Sequence, residues 1–577
     1  MSGIAKLTAQ FIAGDVSSSV TKKKAEEALR AIDRPILMIL DDLDRLTPQE
    51  LLLVFKLIRL VGNLPNVYYL LCYDEKTLID VLCRTDLAVG DRERAQDYLE
   101  KMVQIRLDLP ALRSIQTGNL VDAGIDAVLK RHDITLTSDQ VPRVAQAYHS
   151  YLKQHFNTPR AINRFFAQLS ACYGTLHDEV DFVDFMFITF IRTTTPRLYE
   201  LLFHWKEVLT GSGLQSFAER QLRGDQLAGV WRDRLKHAGI PEDEIKGAMD
   251  FLALMFVPIE AALGNSQVNT AKFIDLLRRR GVGHVDYFDR YFSFGIPEED
   301  IADSTVIEGL RQLGAGEQGE ALIQLTQRLV DDTARTVRKI SVHRSVSSNL
   351  DEGLIALLAD AYEQVPESLD MFIEDPGRSL VALGRDLFVE SSSNVTADFV
   401  RRIGGSEKRL VYVARCVEAA THLDEDGGTN ADWQEVAQEA VRDLIEERLG
   451  NVSDPLSQMA DATFSLVWIW KRFDLPGLKI WIRGRIDSGD WPLIDVVSRF
   501  ATVGRALGAG AGRTVMGDFS ISDLDAVLGI SYVLENLADE ITATNSSVGA
   551  FASNPTMQDR RDFALNILKD FRSRMSD

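Results

Sequence analysis

The first informative pattern along the chain is an apolar run that ends in acidic residues. Ile36–Leu40 is uninterrupted by polar residues, follows Pro35 and leads into the sequence DDLDR at positions 41–45. An apolar run of this length predicts a strand buried on both faces, as in a parallel sheet. Because open α/β sheets bind ligands at the carboxyl ends of their strands, the acidic cluster lies where a ligand site is expected.

A helix and a second apolar run follow directly. The sequence TPQE at positions 47–50 has the pattern of a capping box with proline at the first helical position, which predicts a helix behind the acidic cluster. The apolar run at 67–73 predicts a second buried strand, which Asp74 ends. Strand, helix and strand at this spacing predict a βαβ unit with parallel strands. We therefore expect Asp41, Asp42 and Asp74 at one edge of the sheet.

Beyond the second strand the sequence shows one more strand pattern and then becomes helical. Residues 103–110 alternate apolar and polar side chains and predict an exposed edge strand, whereas almost no strand pattern remains after residue 173. The sequence NTPR at 157–160 predicts the start of a helix. From about residue 300, helix follows helix without a clean repeat period, which predicts an irregular helical array. The helices predicted in this array are 351–364, 398–403, 410–421, 430–449, 454–473, 490–507, 522–543 and 557–575.

Composition and charge narrow the class of protein. The chain has 577 residues, of which 45% are hydrophobic and 26% charged, so it can bury large cores in two to four domains. The net charge of −21 argues against nonspecific binding to duplex DNA or anionic membranes through the overall field. The sequence has no apolar run of about 18 residues and no signal-peptide pattern. Four scattered cysteines and nine isolated histidines predict a cytoplasmic setting without zinc chemistry.

The acidic cluster behind a buried strand is the pattern of a Walker B motif. In P-loop NTPases one carboxylate at this place holds Mg²⁺, and a neighbour orients the attacking water. A haloacid-dehalogenase phosphatase also places Asp-x-Asp behind a strand, as Asp42 and Asp44 are placed, but Arg45 and Leu46 stand where that family has Gly-Thr. A prenyl-synthase DDxxD motif is excluded because its fifth position is Arg45.

Three sequence motifs in order resemble the KAP family of P-loop NTPases. They are DDLDRL at 41–46, YLEKMVQIRLDLP at 98–110 and NTPRAINRF at 157–165. A further stretch, YFDRYF at 287–292, resembles a segment in the helical part of bacterial members. The resemblance covers about residues 20–300. It implies ATP as nucleotide, Mg²⁺ as cofactor, a cytoplasmic catalytic face, and roles in excluding or sensing phage and plasmids, often with membrane association.

The resemblance also implies roles for individual residues. Asp41 matches the Walker B carboxylate on the Mg²⁺ side, and Asp42 matches the residue that activates or orients water. Asp44 and Arg45 complete the motif. For Arg45 the alternatives are contact with phosphate or a neighbouring subunit, and a salt bridge with Asp44 or Asp41. Asp74 occupies a sensor-like position, or simply caps the helix that follows it.

Three arginines are further candidates for contact with the nucleotide. Arg160 matches an arginine that reads the γ-phosphate in related NTPases, with a surface or interdomain ion pair as the alternative. Arg92 and Arg94 precede the YLEK motif. They are candidate trans-acting fingers if the protein forms rings, and ordinary loop arginines otherwise.

The sequence has no phosphate-binding motif to complete this chemistry. A P-loop NTPase needs GxxxxGK[ST], whose backbone N–H groups and lysine cradle the phosphates. The glycine-rich stretch 508–514 has Leu507 at the first glycine position and Arg513 in place of lysine, so we interpret it as a flexible loop between helices. The chain thus resembles a KAP protein without its front end. A late gene start, a split or truncated gene, and loss of the nucleotide site are the three explanations. The first two predict an exposed apolar sheet face.

The sequence predicts an α/β front followed by an all-α region. The expected segments are a helical lead-in at 1–34, a partial P-loop NTPase core at 35–110, a helical lid and KAP-type region at 111–300, and an irregular helical array at 301–577. The expected function is ATP binding and hydrolysis coupled to a helical sensor or effector in phage or plasmid defence. That activity requires an N-terminal segment that carries the phosphate-binding motif. As written, the chain is expected to bind ATP weakly or not at all.

A second function of a different class stays open at the level of sequence. It is a non-catalytic helical scaffold or sensor that retains a remnant NTPase fold. In both cases we expect a protein partner on the C-terminal array. Homo-oligomerisation and membrane association through an N-terminal segment remain open, and the sequence carries no strong nucleic-acid signal.

Overall fold

The structure is a computed structural model that divides into two compact units, Met1–Ala111 and Leu112–Asp577. The division into four segments made from the sequence stays a prediction. The residues that the structure describes are 18–32, 34–61, 64–110, 112–213, 219, 221–222, 224–264, 268–269, 271–346, 351–365, 375–391, 394–421, 431–452, 461–505, 514–544 and 555–576.

The first unit contains the predicted βαβ arrangement. Strands β1 (Ile36–Leu40) and β2 (Val67–Leu71) pair in parallel, with Ile36 opposite Val67 and Leu40 opposite Leu71. The predicted helix between them is present, and its capping box is formed because the Thr47 amide and hydroxyl both donate to Glu50. The helices of this unit are α1 (Ser18–Ile32), α2 (Pro48–Val61), α3 (Glu75–Cys83) and α4 (Arg92–Met102).

Only one face of the two-stranded sheet is covered by described residues, so the prediction of strands buried on both faces is wrong. On the covered side, the core includes Leu51, which is fully buried. On the other side Leu37, Ile39 and Tyr68 are 60%, 62% and 61% exposed, and Leu70 is 38% exposed. Alternation along a strand puts these four side chains on one face, because Leu37 is opposite Tyr68 and Ile39 opposite Leu70. We call them the bare sheet face. The exposed apolar face that an absent front end predicts is therefore present.

The strand predicted at 103–110 is also wrong. These residues are irregular, and Ile105, Leu107 and Leu109 are 78%, 79% and 96% exposed. The sheet of this unit has two strands, β1 and β2, among the described residues. An alternating segment becomes a strand only when a neighbouring strand receives its backbone hydrogen bonds, and among the described residues this segment pairs with neither β1 nor β2.

The second unit begins with a helical part that has its own apolar core. This core centres on α8, in which all residues from Phe182 to Ile191 are buried. The helix predicted from the sequence NTPR is present, and its first residue is Pro159. The helices of this part are α5 (Ser114–Arg131), α6 (Gln140–Ser150), α7 (Pro159–Tyr173), α8 (Phe182–Thr194), α9 (Pro196–His204), α10 (Lys206–Thr210), α11 (Asp225–His237), α12 (Ile245–Leu252), α13 (Val257–Leu263), α14 (Ala271–Arg278) and α15 (Phe288–Ser293).

A second apolar core lies among the helices that follow residue 300. It is built from buried side chains between Ile301 and Leu568. The helices are α16 (Asp303–Ala315), α17 (Glu320–Asp331), α18 (Thr333–His343), α19 (Asp351–Gln364), α20 (Pro376–Glu390), α21 (Ala397–Ile403), α22 (Glu407–Thr421), α23 (Ala431–Gly450), α24 (Asp461–Phe473), α25 (Leu475–Asp487), α26 (Leu493–Ser498), α27 (Ile521–Leu528), α28 (Ile530–Asn536), α29 (Ala538–Ala543) and α30 (Met557–Ser576).

Two predictions in this part of the chain are corrected. The helix predicted over 490–507 is the short α26 followed by strand β3 (Ala501–Arg505), which pairs antiparallel with β4 (Thr514–Phe519). Residues 508–513, interpreted as a flexible loop between helices, lie outside the described residues, and Thr514 begins strand β4. The helix predicted over 522–543 is three short helices, the first two of which meet at Gly529 with φ +81°. Such a conformation favours glycine and ends a helix.

Membrane-spanning segments were predicted to be absent from this sequence. Among the helices of the described residues, none is both long enough and apolar enough to cross a membrane.

Candidate functional site

The carboxyl ends of β1 and β2 form the edge at which the sequence places its acidic residues. The register aligns Leu40 with Leu71, so the residues that follow each strand leave the sheet side by side. The Cys72 amide donates to the Leu40 carbonyl at 2.8 Å, and the Leu43 amide lies 3.5 Å from the Cys72 carbonyl. The shared edge that the spacing predicted is therefore present.

A tight turn positions the two aspartates directly behind β1. Asp42 has the left-handed conformation with φ 58°, and its amide donates to Asp41 Oδ1 at 2.8 Å. A short 3₁₀ helix, Leu43–Arg45, follows, and Leu43 is buried in the core of the unit. The buried leucine anchors the turn, and the Asp41 and Asp42 carboxylates stay exposed at the edge of the sheet.

Arg45 forms the salt bridge that the sequence left open, but with a different partner. Its Nε lies 3.2 Å from Asp42 Oδ1, and neither Asp41 nor Asp44 takes part in this contact. The two side chains are 63% and 55% exposed. Ion pairs this exposed contribute little to stability. Arg45 can therefore leave the pair to contact a phosphate, and Asp42 can leave it to contact a metal ion.

Asp74 caps helix α3. Its Oδ1 accepts hydrogen bonds from the Thr77 amide and from the Thr77 hydroxyl, both at 2.9 Å. These two donors hold the pKa of Asp74 below its usual range. The capping alternative is therefore present in the structure, and the sensor-like role stays a prediction.

An ion pair that the sequence analysis missed lies beside this cap. Arg106 donates from both guanidinium nitrogens to Glu75, at 2.6 and 2.8 Å, and from Nε to Asp108 at 2.9 Å. Hydrogen bonds to Asp108 and Glu75 raise the pKa of Arg106. This contact fixes the irregular segment 103–110 near the start of α3. No spacing signal in the sequence indicates the pair of Arg106 and Glu75, because 31 positions separate the two residues.

The three candidate arginines have different surroundings. Arg92 donates to Asp80 at 2.7 Å, in an ion pair that is more than half exposed. Arg94 uses its backbone amide to donate to Asp91 at the start of α4. Arg160 belongs to the second unit, where it is exposed in the first turn of α7, and its side chain makes no hydrogen bond or ion pair with any described residue. A contact of any of these side chains with nucleotide stays a prediction.

Asp41 is the residue that fits a magnesium ion at this edge. Within the described parts of the chain, no group of three or more His, Cys, Asp and Glu side chains is arranged to hold a metal. Mg²⁺ in nucleotide sites is bound by one or two carboxylates together with phosphate oxygens and waters. An exposed carboxylate such as Asp41, with one described hydrogen bond at Oδ1, meets that requirement.

A parallel βαβ unit with an acidic cluster behind its first strand, followed by a mostly helical region, defines the class as a partial P-loop fold joined to helices. Residues 5–176 match the model of the KAP family P-loop domain, which confirms the resemblance that the motifs indicated. The phage T7 exclusion protein of Escherichia coli (strain K12) is 25% identical over 323 residues, which are 53% of this chain and 41% of that protein. The match thus spans about two fifths of that relative's length. No solved structure matches the chain significantly.

Proposed function

We propose that the chain is the Walker B part of an ATPase whose activity is coupled to the helical second unit in phage or plasmid defence. Asp41 would hold Mg²⁺, Asp42 would orient the attacking water, and Asp44 and Arg45 would complete the motif. The phosphate-binding loop comes from polypeptide that these 577 residues do not contain. Similarity to a phage exclusion protein supports the defence role.

The observation that carries this proposal is the exposed acidic edge next to the bare sheet face. Asp41 and Asp42 are open to solvent at the carboxyl end of β1, where parallel sheets bind ligands. Leu37, Ile39 and Tyr68 expose apolar surface of the kind that proteins normally cover. Further strands and helices that cover this face would bring a phosphate cradle to the same edge.

Mg-ATP binding and turnover test the proposal directly. The chain alone is compared with a version extended upstream in its gene until the GxxxxGK[ST] motif is included. The extended chain is expected to hydrolyse ATP, and Asp42→Asn to slow turnover about 10²- to 10⁴-fold, the usual contribution of a group that handles the water proton. Asp41→Ala is expected to raise the Mg²⁺ concentration that turnover requires. Asp86→Ala, at an exposed carboxylate in the same unit, is the matched control.

Two results would contradict the proposal. One is an extended chain that binds no nucleotide. The other is turnover that survives both Asp41→Ala and Asp42→Asn, because the chemistry would then reside elsewhere.

A non-catalytic scaffold is the second candidate, and one observation favours it. Asp42 is paired with Arg45, and Asp74 caps a helix, so both have structural partners without nucleotide. The same assays separate the candidates, since a scaffold shows no turnover at either chain length.

A further inference from the structure

The second unit contains two apolar cores that are joined mainly through charged side chains. The first core comprises residues between Val121 and Tyr291, and the second comprises residues between Ile301 and Leu568. Among the described helices of this unit, every pair that packs extensively belongs to one core or to the other. Among the described apolar residues after position 300, Val342 is the one that packs against the first core. The connection between the cores therefore rests on other contacts.

Arg290 lies at the centre of that connection. It is fully buried and donates from Nε to Asp300 at 2.6 Å, and from one terminal nitrogen to Glu179 at 2.8 Å. The same nitrogen lies 3.2 Å from Asp303, and the other terminal nitrogen donates to the Ile301 carbonyl at 2.8 Å. One guanidinium thus binds a residue of the first core and the segment that opens the second.

The carboxylates around Arg290 have donors from both sides. Glu179 accepts from the backbone amides of Asp303 and Ser304 at 2.7 and 3.0 Å. Asp303 in turn accepts from the Tyr287 hydroxyl at 2.7 Å and from Arg280 Nε at 2.9 Å. Both acids are therefore held by groups that the other core supplies.

Helix α18 provides further basic side chains at this connection. Lys339 is fully buried and donates to Asp300 and to the Ile301 carbonyl, and His343 lies 3.0 Å from Asp303. Next to them, Arg338 binds Asp286 of the first part through two hydrogen bonds of 2.7 Å. We call Glu179, Arg290, Asp300, Asp303, Lys339 and His343 the ionic layer.

Buried ion pairs have a different energetic role from apolar packing. Their attraction is largely offset by the cost of removing the charges from water, so an intact pair adds little net stability. Removing one partner, however, leaves the other charge buried without compensation. A contact built from such pairs holds its two partners in one orientation while it is complete. The loss of a single charge weakens it.

We propose that the ionic layer is a latch that fixes the two cores in one orientation, and that its disruption lets them reorient as rigid bodies. The apolar cores lie on either side of the layer, so each keeps its own packing when the layer opens. The proposal concerns the second unit alone and does not depend on nucleotide binding.

Distances between spin labels test this latch in the full chain. Labels are attached through introduced ketone-bearing amino acids at the exposed positions Asp126 and Glu435, one in each helical part. This chemistry avoids the four native cysteines. Arg290→Met and Asp303→Asn are expected to broaden the distance distribution, with helix content by circular dichroism unchanged. The matched control is Arg311→Met, because Arg311 is an exposed arginine paired with Glu308 and Glu317.

A folded Arg290→Met chain with the distance distribution of the unmodified chain would overturn the proposal. If the variants do not fold, hydrogen exchange of the unmodified chain decides. The amides of Asp303 and Ser304 are expected to exchange through openings of lower free energy than those of α8 and α22, which are core helices. Equal protection in the layer and in both cores would also overturn the proposal.

Discussion

Asp42 has a backbone role at the same position for which a chemical role is proposed. Its left-handed conformation, with φ 58°, turns the chain from β1 into the 3₁₀ helix that begins at Leu43. This conformation costs most L-residues about 1–2 kcal/mol, whereas glycine, asparagine and aspartate adopt it more readily. A substitution that removes the charge therefore also changes the turn, unless the new residue tolerates the same conformation.

The first prediction separates these two roles of Asp42. Asp42→Asn and Asp42→Gly are expected to leave the stability of the first unit nearly unchanged, while Asp42→Ala lowers it by about 1 kcal/mol because alanine is strained in this conformation. Hydrogen exchange of the amides in β1 and β2 measures the effect. Equal losses for alanine and asparagine would show that the backbone conformation does not matter.

At the residue scale, contacts between residues close together in the sequence could be predicted, and contacts between residues far apart in the sequence could not. The Thr47–Glu50 box and the Asp74 cap join residues three apart, so their spacing in the sequence reports them directly. Arg106 meets Glu75 from 31 positions away, and Arg290 meets Glu179 from 111 positions away. Sequence spacing carries no information on such pairs until the fold is known.

Helices and strands were predicted well where the segment's own sequence determines its structure. They were predicted poorly where the structure depends on another element that packs against or pairs with the segment. The strand Ile36–Leu40 follows from its apolar run, but burial on both faces required covering elements that the described residues do not supply. Residues 103–110 have a strand pattern without a neighbouring strand. β3 and β4 were missed because each is short and finds its partner only across the intervening residues.

The second prediction concerns the two faces of the sheet in the first unit. Leu37→Thr is expected to change stability by less than about 0.5 kcal/mol, because the side chain is exposed. Leu51→Ala, beneath the covered face, is expected to cost about 2–5 kcal/mol because it leaves a cavity. Hydrogen exchange of β1 and β2 measures both. In the upstream-extended chain, Leu37→Thr should become clearly destabilising. If it remains neutral there, nothing covers the bare sheet face.

The third prediction concerns acid stability of the ionic layer and its neighbours. Burial alone raises the pKa of Asp303, but the His343 hydrogen bond and the charges of Lys339 and Arg290 outweigh it and hold the pKa below its usual range. For Asp286, burial also raises the pKa, and the hydrogen bond and charge of Arg338 outweigh it. Each unit of depression corresponds to about 1.4 kcal/mol of stability.

The sign of the effect follows from proton binding. A carboxylate with a lowered pKa stabilises the fold above its unfolded value of about 3.9, and this contribution is lost as the pH falls through the folded pKa. Burial and the neighbouring Asp184 raise the pKa of Asp181, so its protonation offsets part of the loss.

We therefore expect the thermal stability of the second unit to decrease below about pH 4. Tryptophan fluorescence is the measurement. The decrease should be shallower in Asp303→Asn, which has one fewer titrating group, and unchanged in Asp398→Asn, a largely exposed carboxylate. An equally steep decrease in Asp303→Asn would contradict the assignment.

At the scale of the whole molecule, the aromatic residues provide a way to observe the two units separately. All seven tryptophans belong to the second unit, so tryptophan fluorescence reports that unit without a signal from the first. They are Trp205, Trp231, Trp433, Trp468, Trp470, Trp481 and Trp491. The candidate nucleotide site lies in the unit without tryptophan. Hydrogen exchange of β1 and β2 reports that unit in turn.

The fourth prediction uses this separation to locate nucleotide binding. A ligand that binds the native state stabilises it by about 2.7 kcal/mol at a concentration of 100 times its Kd. In the upstream-extended chain, Mg-ATP is expected to increase exchange protection in β1 and β2, and removal of Mg²⁺ with EDTA should reverse most of it. The present chain should show no increase, because its sequence carries no GxxxxGK[ST] motif. If Mg-ATP protects this chain as it stands, and Asp41→Ala does not abolish that protection, nucleotide binds at a place other than the acidic edge behind β1.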